Sequence, residues 1–203
     1  MRKSAEEAQR TRERIVDAGV HRTSINGISG VSIGDLASVL GMSKAGVVGP
    51  FGSQEQLQLA VIQRARETFV DAVVRPGMRQ EGGLPRLRAT VRAWCRYLGD
   101  GTFPGGCFVT AASTELDGRP GVLRDAVRDV VVQWRGFLRE QISTAQTNGQ
   151  LVRRRNPDDL VSTLNGIAMA ANQEIQLLRD TTAARRAARL MLAQIDAWTR
   201  EGR

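Results

Sequence analysis

Chemically active residue types are scarce in this chain of 203 residues, which has two cysteines, one histidine and one tyrosine, with aromatic residues at only 4%. Cys95 and Cys107 are too few for a secreted disulfide framework and stand in no metal-ligand spacing, so both are expected to be reduced and buried. The single histidine, His21, belongs to another part of the chain, which leaves no evident cysteine–histidine pair. An enzyme reading could use only Cys107, set behind Gly105 and Gly106 as though on a turn. Gly46, Gly49 and Gly52 imitate a phosphate loop but follow a helical pattern and lack its spacing. No metal site and no cofactor is expected. No run of about 18 apolar residues occurs, and the first eight residues lead into charge rather than a basic-then-apolar leader. The expectation is a soluble, cytoplasmic chain with no membrane partner.

What is present is an aliphatic, arginine-rich composition. Hydrophobic residues make up 41% of the chain, enough for a sizeable core built from aliphatic side chains and alanine. The formal charge is +8 and the pI near 11.0, a balance that favours a polyanionic partner through counterion release. The charge does not locate that partner. Lys3 and Lys44 are the only lysines, and arginine is scattered from Arg2 to Arg203.

Apolar periodicity of about 3.6 residues recurs throughout, and no strand pattern, repeat or low-complexity segment interrupts it. The expected class is all-α. Residues 1 to 10 read as a mobile arm, followed by a first helix from Thr11 to about Ile25. A fourth helix follows a capping-box pattern at Ser53–Gln56 and carries Leu57, Ala60, Val61, Ala65, Phe69, Ala72 and Val73 until Pro76 and Gly77. Glycine-rich breaks at 82–85 and 99–106 bracket a helix from Leu87 to Leu98, and Cys107 to about Leu116 reads as a short buried one. A long helix is expected from Val122 to Asn148, closed by Gly149. Asn156-Pro157-Asp158-Asp159 opens another, with a cap, a first-turn proline and two acids at the positive end of the dipole. Leu160, Leu164, Ile167, Ala168, Ala171, Ile175 and Leu178 form its stripe, and Ala184, Ala187, Met191, Ile195 and Trp198 form the last one.

The most informative stretch runs from Ile33 to Phe51. Leu36, Ala37 and Leu40 share one helical face, Gly41 can supply a left-handed turn, and Met42 and Val47 return apolar contacts from a second short helix. Ser32 with Asp35 has the pattern of a capping box, and Ser43 can cap the second helix. The spacing is that of a DNA-binding helix-turn-helix. Together with Thr11 to Ala18, Gly27, Val31 to Ile33, Phe51 to Ser53 and Leu57, it resembles the DNA-binding domain of the TetR family of bacterial transcriptional regulators over roughly residues 9 to 62.

The resemblance implies a helix-turn-helix domain over 1–52, arm included, and an effector-binding and dimerisation domain over 53–203. It implies a homodimeric regulator of double-stranded DNA, usually a repressor, released from a palindromic operator by a small-molecule effector that shifts the fourth helix. Two copies spaced about 34 Å or a multiple apart would read the palindrome. The last two helices would pair with their copies, where Gly166, Ala168 and Ala171 permit close contact. Ser32, Ser43, Lys44, Ala45, Gly46, Val48 and Gly49 would meet bases or phosphates, with Lys44 on a phosphate and Ala45 or Val48 against a thymine methyl. Val47 and Phe51 are expected in the core instead. An apolar effector cavity would draw on Trp94, Leu98, Phe103, Phe108, Trp134, Phe137, Met169, Asn172 and Gln173.

The chain departs from the family pattern at Gly46, Val48 and Pro50, where members commonly carry a threonine or serine, an aromatic residue and a tyrosine or histidine. Direct polar readout of bases is therefore expected to be sparse and the recognition helix to fray. Contacts from Arg2, Lys3 and Arg10 of the arm would compensate. Arg22 and Thr23 replace the usual leucine and phenylalanine, with Ile25 and Ile28 expected to restore part of the lost stripe. An alternative is a dimeric small-molecule-binding protein of the same ancestry whose operator recognition has weakened.

Overall fold

The computed structural model describes residues 5–199, so Arg2 and Lys3 of the expected arm lie outside the described residues. These residues form ten α-helices and one π-helical turn with no strand, the all-α architecture that the periodicity predicts. They divide into two compact units. One comprises the chain up to Glu67 together with Phe103–Asp129, and the other Thr68–Thr102 together with the chain from Val130 onward.

In the first unit, α1 (Ala5–Asn26) begins six residues ahead of the expected Thr11. Its first turns are held by polar contacts rather than an apolar stripe: Arg10 pairs with Glu6, Gln9 donates to Glu13 at 2.7 Å, and the Thr11 hydroxyl donates to the Glu7 carbonyl at 2.8 Å. Pairs four residues apart face each other on a helix and add about 0.2–0.5 kcal/mol each, so the helix anchored farther along by Ile15, Val16 and Val20 extends backward through this segment. Arg10 is thus a helical residue. Farther along, Ile15, Val16 and Val20 are buried, and Gly19 leaves room for α4 (Gln54–Phe69), since a Cβ there would lie 2.6 Å from Val61 Cγ2. Of the two residues expected to replace the lost stripe, Ile28 is buried at 2% exposure while Ile25 is 53% exposed. The stripe ends early because Ile25 falls on the outer side of the last turn.

Between them lie α2 (Ile33–Leu40) and α3 (Lys44–Val48), while α7 (Phe108–Leu116) and the first residues of α8 (Val122–Thr147) complete the unit. Gly105 permits a backbone-on-backbone approach to the end of α1, where a Cβ would stand 1.6 Å from the Ser24 carbonyl oxygen.

The second unit opens with the end of α4, a π turn over Val70–Val74 and α5 (Arg75–Met78). Pro76 was expected to stop the helix, but the helical path continues through it. The π turn explains this: the Arg75 N–H bonds to the Val70 carbonyl, and the wider turn relieves the clash a proline makes with the preceding turn. Next, α6 (Leu84–Gly99) starts three residues ahead of the expected Leu87, with Pro85 in its first turn, where a missing N–H is harmless.

The last helices are α9 (Pro157–Gln176), capped by Asn156 Oδ1 accepting from Asp158 N at 3.1 Å, and α10 (Ala183–Ala197). Within this unit α10 packs on α6 and α9, burying Ala183, Ala187, Met191 and Ile195. Ala183 takes the inward place expected of Ala184, which is half-buried, and Leu178 lies past the end of α9 at 67% exposure instead of on its stripe. Both cysteines are free and buried, and Cys95 Sγ sits 3.7 Å from Met191 Sδ.

Candidate functional site

The helix-turn-helix is assembled from short-range signals. The Ser32 hydroxyl accepts from Asp35 N at 3.0 Å, and the Asp35 carboxylate accepts from the Ser32 hydroxyl at 2.7 Å and the Ser32 N–H at 3.2 Å, a complete capping box. Those two bonds hold the Asp35 carboxyl below its ordinary range. Gly41 closes α2 at φ 64°, a left-handed conformation suited to glycine, and the Met42 N–H bonds back to the Ala37 carbonyl at 2.9 Å. Ser43 then caps α3, its hydroxyl accepting from Gly46 N at 3.0 Å.

Around that turn, Val47 is fully buried with Leu36, while Ser32, Ser43, Lys44, Ala45 and Gly49 are exposed and Gly46 and Val48 half-buried. Phe51 is half-buried with the Arg12 guanidinium 4.7 Å above its ring. The Lys44 chain runs beside Gly34 of α2, where a Cβ would meet its Cε at 3.5 Å. No carboxylate pairs with Lys44 among the described residues, so its charge is open to an anion. Thr23 is buried, and the Nε of Arg22 is buried without a partner.

A carboxylate from far along the chain fixes the connection between α1 and α2. Glu115 of α7 accepts from Ile28 N at 2.7 Å and Ser29 N at 2.8 Å. Burial pulls its carboxyl upward, but these hydrogen bonds and the Arg119 charge outweigh it and hold the group below its ordinary range.

The second unit contains an aromatic cluster. Trp94 and Trp134 meet edge to face at 4.8 Å, Phe137 stacks on Trp134 at 5.9 Å, and Phe69 approaches Trp134 at 4.9 Å and Tyr97 at 5.3 Å. The indole Nε1 atoms of Trp94 and Trp134 are both buried without a hydrogen-bond partner, an arrangement unusual for buried donors. Of the expected effector residues, the structure thus joins Trp94, Trp134 and Phe137. Leu98 is buried on α6, Asn172 is half-buried on α9, and Met169 and Gln173 stand exposed on α9. Phe103 and Phe108 pair with each other at 6.3 Å within the first unit. Phe69, expected only on the stripe of the fourth helix, and Tyr97 also join this cluster, since helical spacing does not show which core residues meet.

Among the described residues no cluster of histidine, cysteine and acidic side chains could hold a metal, and no helix is long and apolar enough to cross a membrane.

Residues 83–191, more than half the chain, match the family described as tetracyclin repressor-like, C-terminal domain. The chain belongs to the TetR family. Solved structures of TetR-family transcriptional regulators share its fold. One from Chloroflexus aurantiacus has a TM-score of 0.86 at 24% identity, over 94% of this chain and 96% of that one. Another from Cytophaga hutchinsonii has a TM-score of 0.83 at 15% identity, over 98% and 100%. AibR, solved in complex with isovaleryl coenzyme A and operator DNA, has a TM-score of 0.73 at 20% identity, over 91% and 97%. No curated protein matches the chain. The TetR-like helix-turn-helix is the part that carries Lys44 and the exposed caps. Its α3 has five residues, two fewer hydrogen-bonded turns than a helix of average length.

Proposed function

We propose that the chain is a homodimeric, DNA-binding transcriptional regulator, a repressor released from a palindromic operator by a small-molecule effector. The observation that carries this reading is the capped α2–α3 turn. It buries Leu36 and Val47 and leaves Ser32, Ser43, Lys44 and Ala45 on one solvent-facing edge. On that edge Lys44 neutralises a phosphate, the Ser43 hydroxyl donates to a phosphate oxygen, the Ser32 hydroxyl could do so only by turning its single proton away from Asp35, and Ala45 or Val48 touches a thymine methyl. AibR, of the same fold, binds both operator DNA and an acyl thioester of coenzyme A. Two binding events are carried over from that likeness, and the ligand is not.

Dimerisation is supported by an apolar surface at the C-terminal helices. Met169 is 52% exposed on α9 beside the exposed Gly166 and Ala170, Leu177 and Leu178 follow at its end, and Leu190 is exposed on α10, whereas Ala168 and Ala171, expected at that contact, face inward and are buried within the chain. Small residues among large apolar ones suit a four-helix pairing of two copies. Effector binding is supported by the orphaned indole donors of Trp94 and Trp134, which an acceptor atom of a ligand would satisfy. Release from DNA then follows if the effector prefers the DNA-incompetent state, with a coupling of about 1 to 3 kcal/mol. Regulators of this family are generally not enzymes.

A second reading has its own observation. Gly46 and Gly49 flank Val47 and Val48, and Pro50 follows, so α3 offers few polar groups to bases; this favours a ligand-binding dimer with weakened operator recognition. One experiment separates the two. Random duplex DNA is selected on the purified protein at near-physiological salt and the retained pool sequenced. A regulator enriches one palindrome by about 10³-fold or more over random duplex, whereas the weakened form retains all sequences alike.

A further inference from the structure

We infer that the second unit carries an anion site on its outer surface, a groove between α5 and α6 shaped for an organic diphosphate. The groove has a volume of about 400 Å³, within the range of small-molecule sites. One wall is a row of arginines, Arg88, Arg92 and Arg96, four residues apart on α6. At a rise of 1.5 Å per residue they span about 12 Å along one helical face, each roughly 6 Å from the next. Pro76 and Pro85 supply an apolar floor, and Gln80 a neutral polar group.

The charge balance sets the sign of the ligand. Arg88 donates from Nη2 to Asp196 on α10, which cancels one of the three positive charges. Arg92 and Arg96 are exposed and pair with no carboxylate among the described residues, and no acidic side chain lines the groove. Two positive charges are left unbalanced. A phosphomonoester would balance that charge alone, but a diphosphate also gives each of the two guanidinium forks its own phosphoryl oxygens to bind bidentately along the row. Arg88 is anchored inside the wall, with Nη2 held by Asp196 and Nε buried, which leaves Arg92 and Arg96 as the groove's accessible cations.

The groove is also held in shape before any ligand arrives. Arg86 donates from Nε and Nη2 to the Gln80 carbonyl at 3.2 and 3.0 Å, and the Gly83 and Leu84 amides donate to Gln141 and Gln150 at 3.3 and 3.0 Å. Gly77 and Thr90 fix the close approach of α5 to α6, because a Cβ at Gly77 would meet Thr90 Oγ1 at 2.0 Å. The apolar floor and the arginine faces then accept the organic body of the ligand beside its phosphates.

The test is calorimetric titration of the full chain, without DNA, using inorganic pyrophosphate, adenosine 5′-diphosphate and adenosine 5′-monophosphate. Pyrophosphate and the diphosphate should bind, the diphosphate more tightly because it uses the floor, and the monophosphate at least about tenfold more weakly than the diphosphate. R92Q/R96Q, in which two exposed side chains change, should weaken diphosphate binding by about tenfold or more with an unchanged melting temperature. Lys44→Ala, and R185Q/R189Q, which removes the same charge from α10, should change it less than twofold. The site is refuted by R92Q/R96Q binding as the parent does, by R185Q/R189Q losing as much, or by no binding of either diphosphate at millimolar concentration. Because DNA is absent from the titration, failure here leaves the regulator reading standing, and failure of the DNA selection leaves this site standing.

Discussion

Glu115 grips the backbone of Ile28 across 87 positions of sequence, its carboxylate accepting from the Ile28 N–H at 2.7 Å while its other oxygen takes the Ser29 N–H. Glutamine has one acceptor oxygen and would turn an amide donor toward the second N–H. Glu115→Gln should therefore destabilise the protein by about 1–3 kcal/mol, the range for leaving a partly buried donor unpaired. Thermal unfolding should read this as a fall of roughly 2–4 °C per kcal/mol. An unchanged melting temperature would show that water replaces the clamp at no loss.

The same clamp has a pH dependence. Its folded-state carboxyl lies below the ordinary glutamate value, so the unfolded chain binds the proton more readily. The stabilisation is then fully present above the ordinary value, about 4.3, and is lost as pH falls through the depressed one. Subtracting the acid-side stability profile of Glu115→Gln from that of the parent should give a difference that shrinks as pH drops. A difference constant with pH would place the titration elsewhere.

Gly105 should tolerate no side chain. Its Cβ would overlap the Ser24 carbonyl oxygen at 1.6 Å, a backbone atom that no rotamer change can move. Gly105→Ala should cost about 3 kcal/mol or more, at or above the usual range for overpacking. Gly118→Ala, in open space and without a left-handed backbone, should be neutral within about 0.5 kcal/mol. Equal melting temperatures for the two variants would contradict the close approach.

Cys95 should be inert in the native protein. Burial pushes its thiol up to about 11, so almost no thiolate exists at neutral pH, and the thiol is enclosed beside Met191. A thiol reagent at pH 8 should leave it unmodified until denaturant is added, and peroxide should not alter DNA binding. Rapid native modification of Cys95 would contradict this burial.

The parts of this fold legible in the sequence were those whose cause lies within three or four residues. Ser32 with Asp35, Gly41, Ser43 and Asn156 each announce a cap or turn through residue types that satisfy exposed backbone groups locally. Where the cause is not an apolar stripe, periodicity was silent. The start of α1 at Ala5 rests on the Glu6, Gln9 and Thr11 contacts, and the path through Pro76 rests on a π turn that no residue type signals. The clamp by Glu115 and the meeting of Phe69 with Tyr97 and Trp134 join distant positions, so only the folded chain displays them. The arginine row of α6 was visible as a four-residue spacing but lost among arginines scattered throughout.

If α3 reads DNA as proposed, it should be the least protected helix of the free protein. Five residues, Lys44–Val48, give it few internal hydrogen bonds, Gly46 weakens its middle by about 0.5–1 kcal/mol relative to alanine, and Val47 alone anchors it in the core. Opening should cost on the order of 1 kcal/mol or less, against several for α9 and α10. Amide exchange at 44–49 should be near the unprotected rate without DNA and slow markedly on an enriched palindrome. Exchange in the free protein as slow as in α10 would mean a rigid recognition helix.

The exposed face of α9 should govern assembly. Met169 projects among Gly166 and Ala170, and a charge there would be desolvated in a four-helix pairing but solvated in a monomer. Met169→Asp should therefore shift the mass measured by light scattering from twice the chain's 22.2 kDa to the chain mass, with helix content retained. Val122→Asp, at a comparably exposed apolar position on α8, should leave the dimer intact. Because two linked half-sites reinforce each other's binding, the monomer should also lose the preference for a palindrome over a single half-site. A Met169→Asp protein that stays dimeric would move the pairing surface off α9, and a parent that is monomeric at micromolar concentration would remove the dimer from the proposed mechanism altogether.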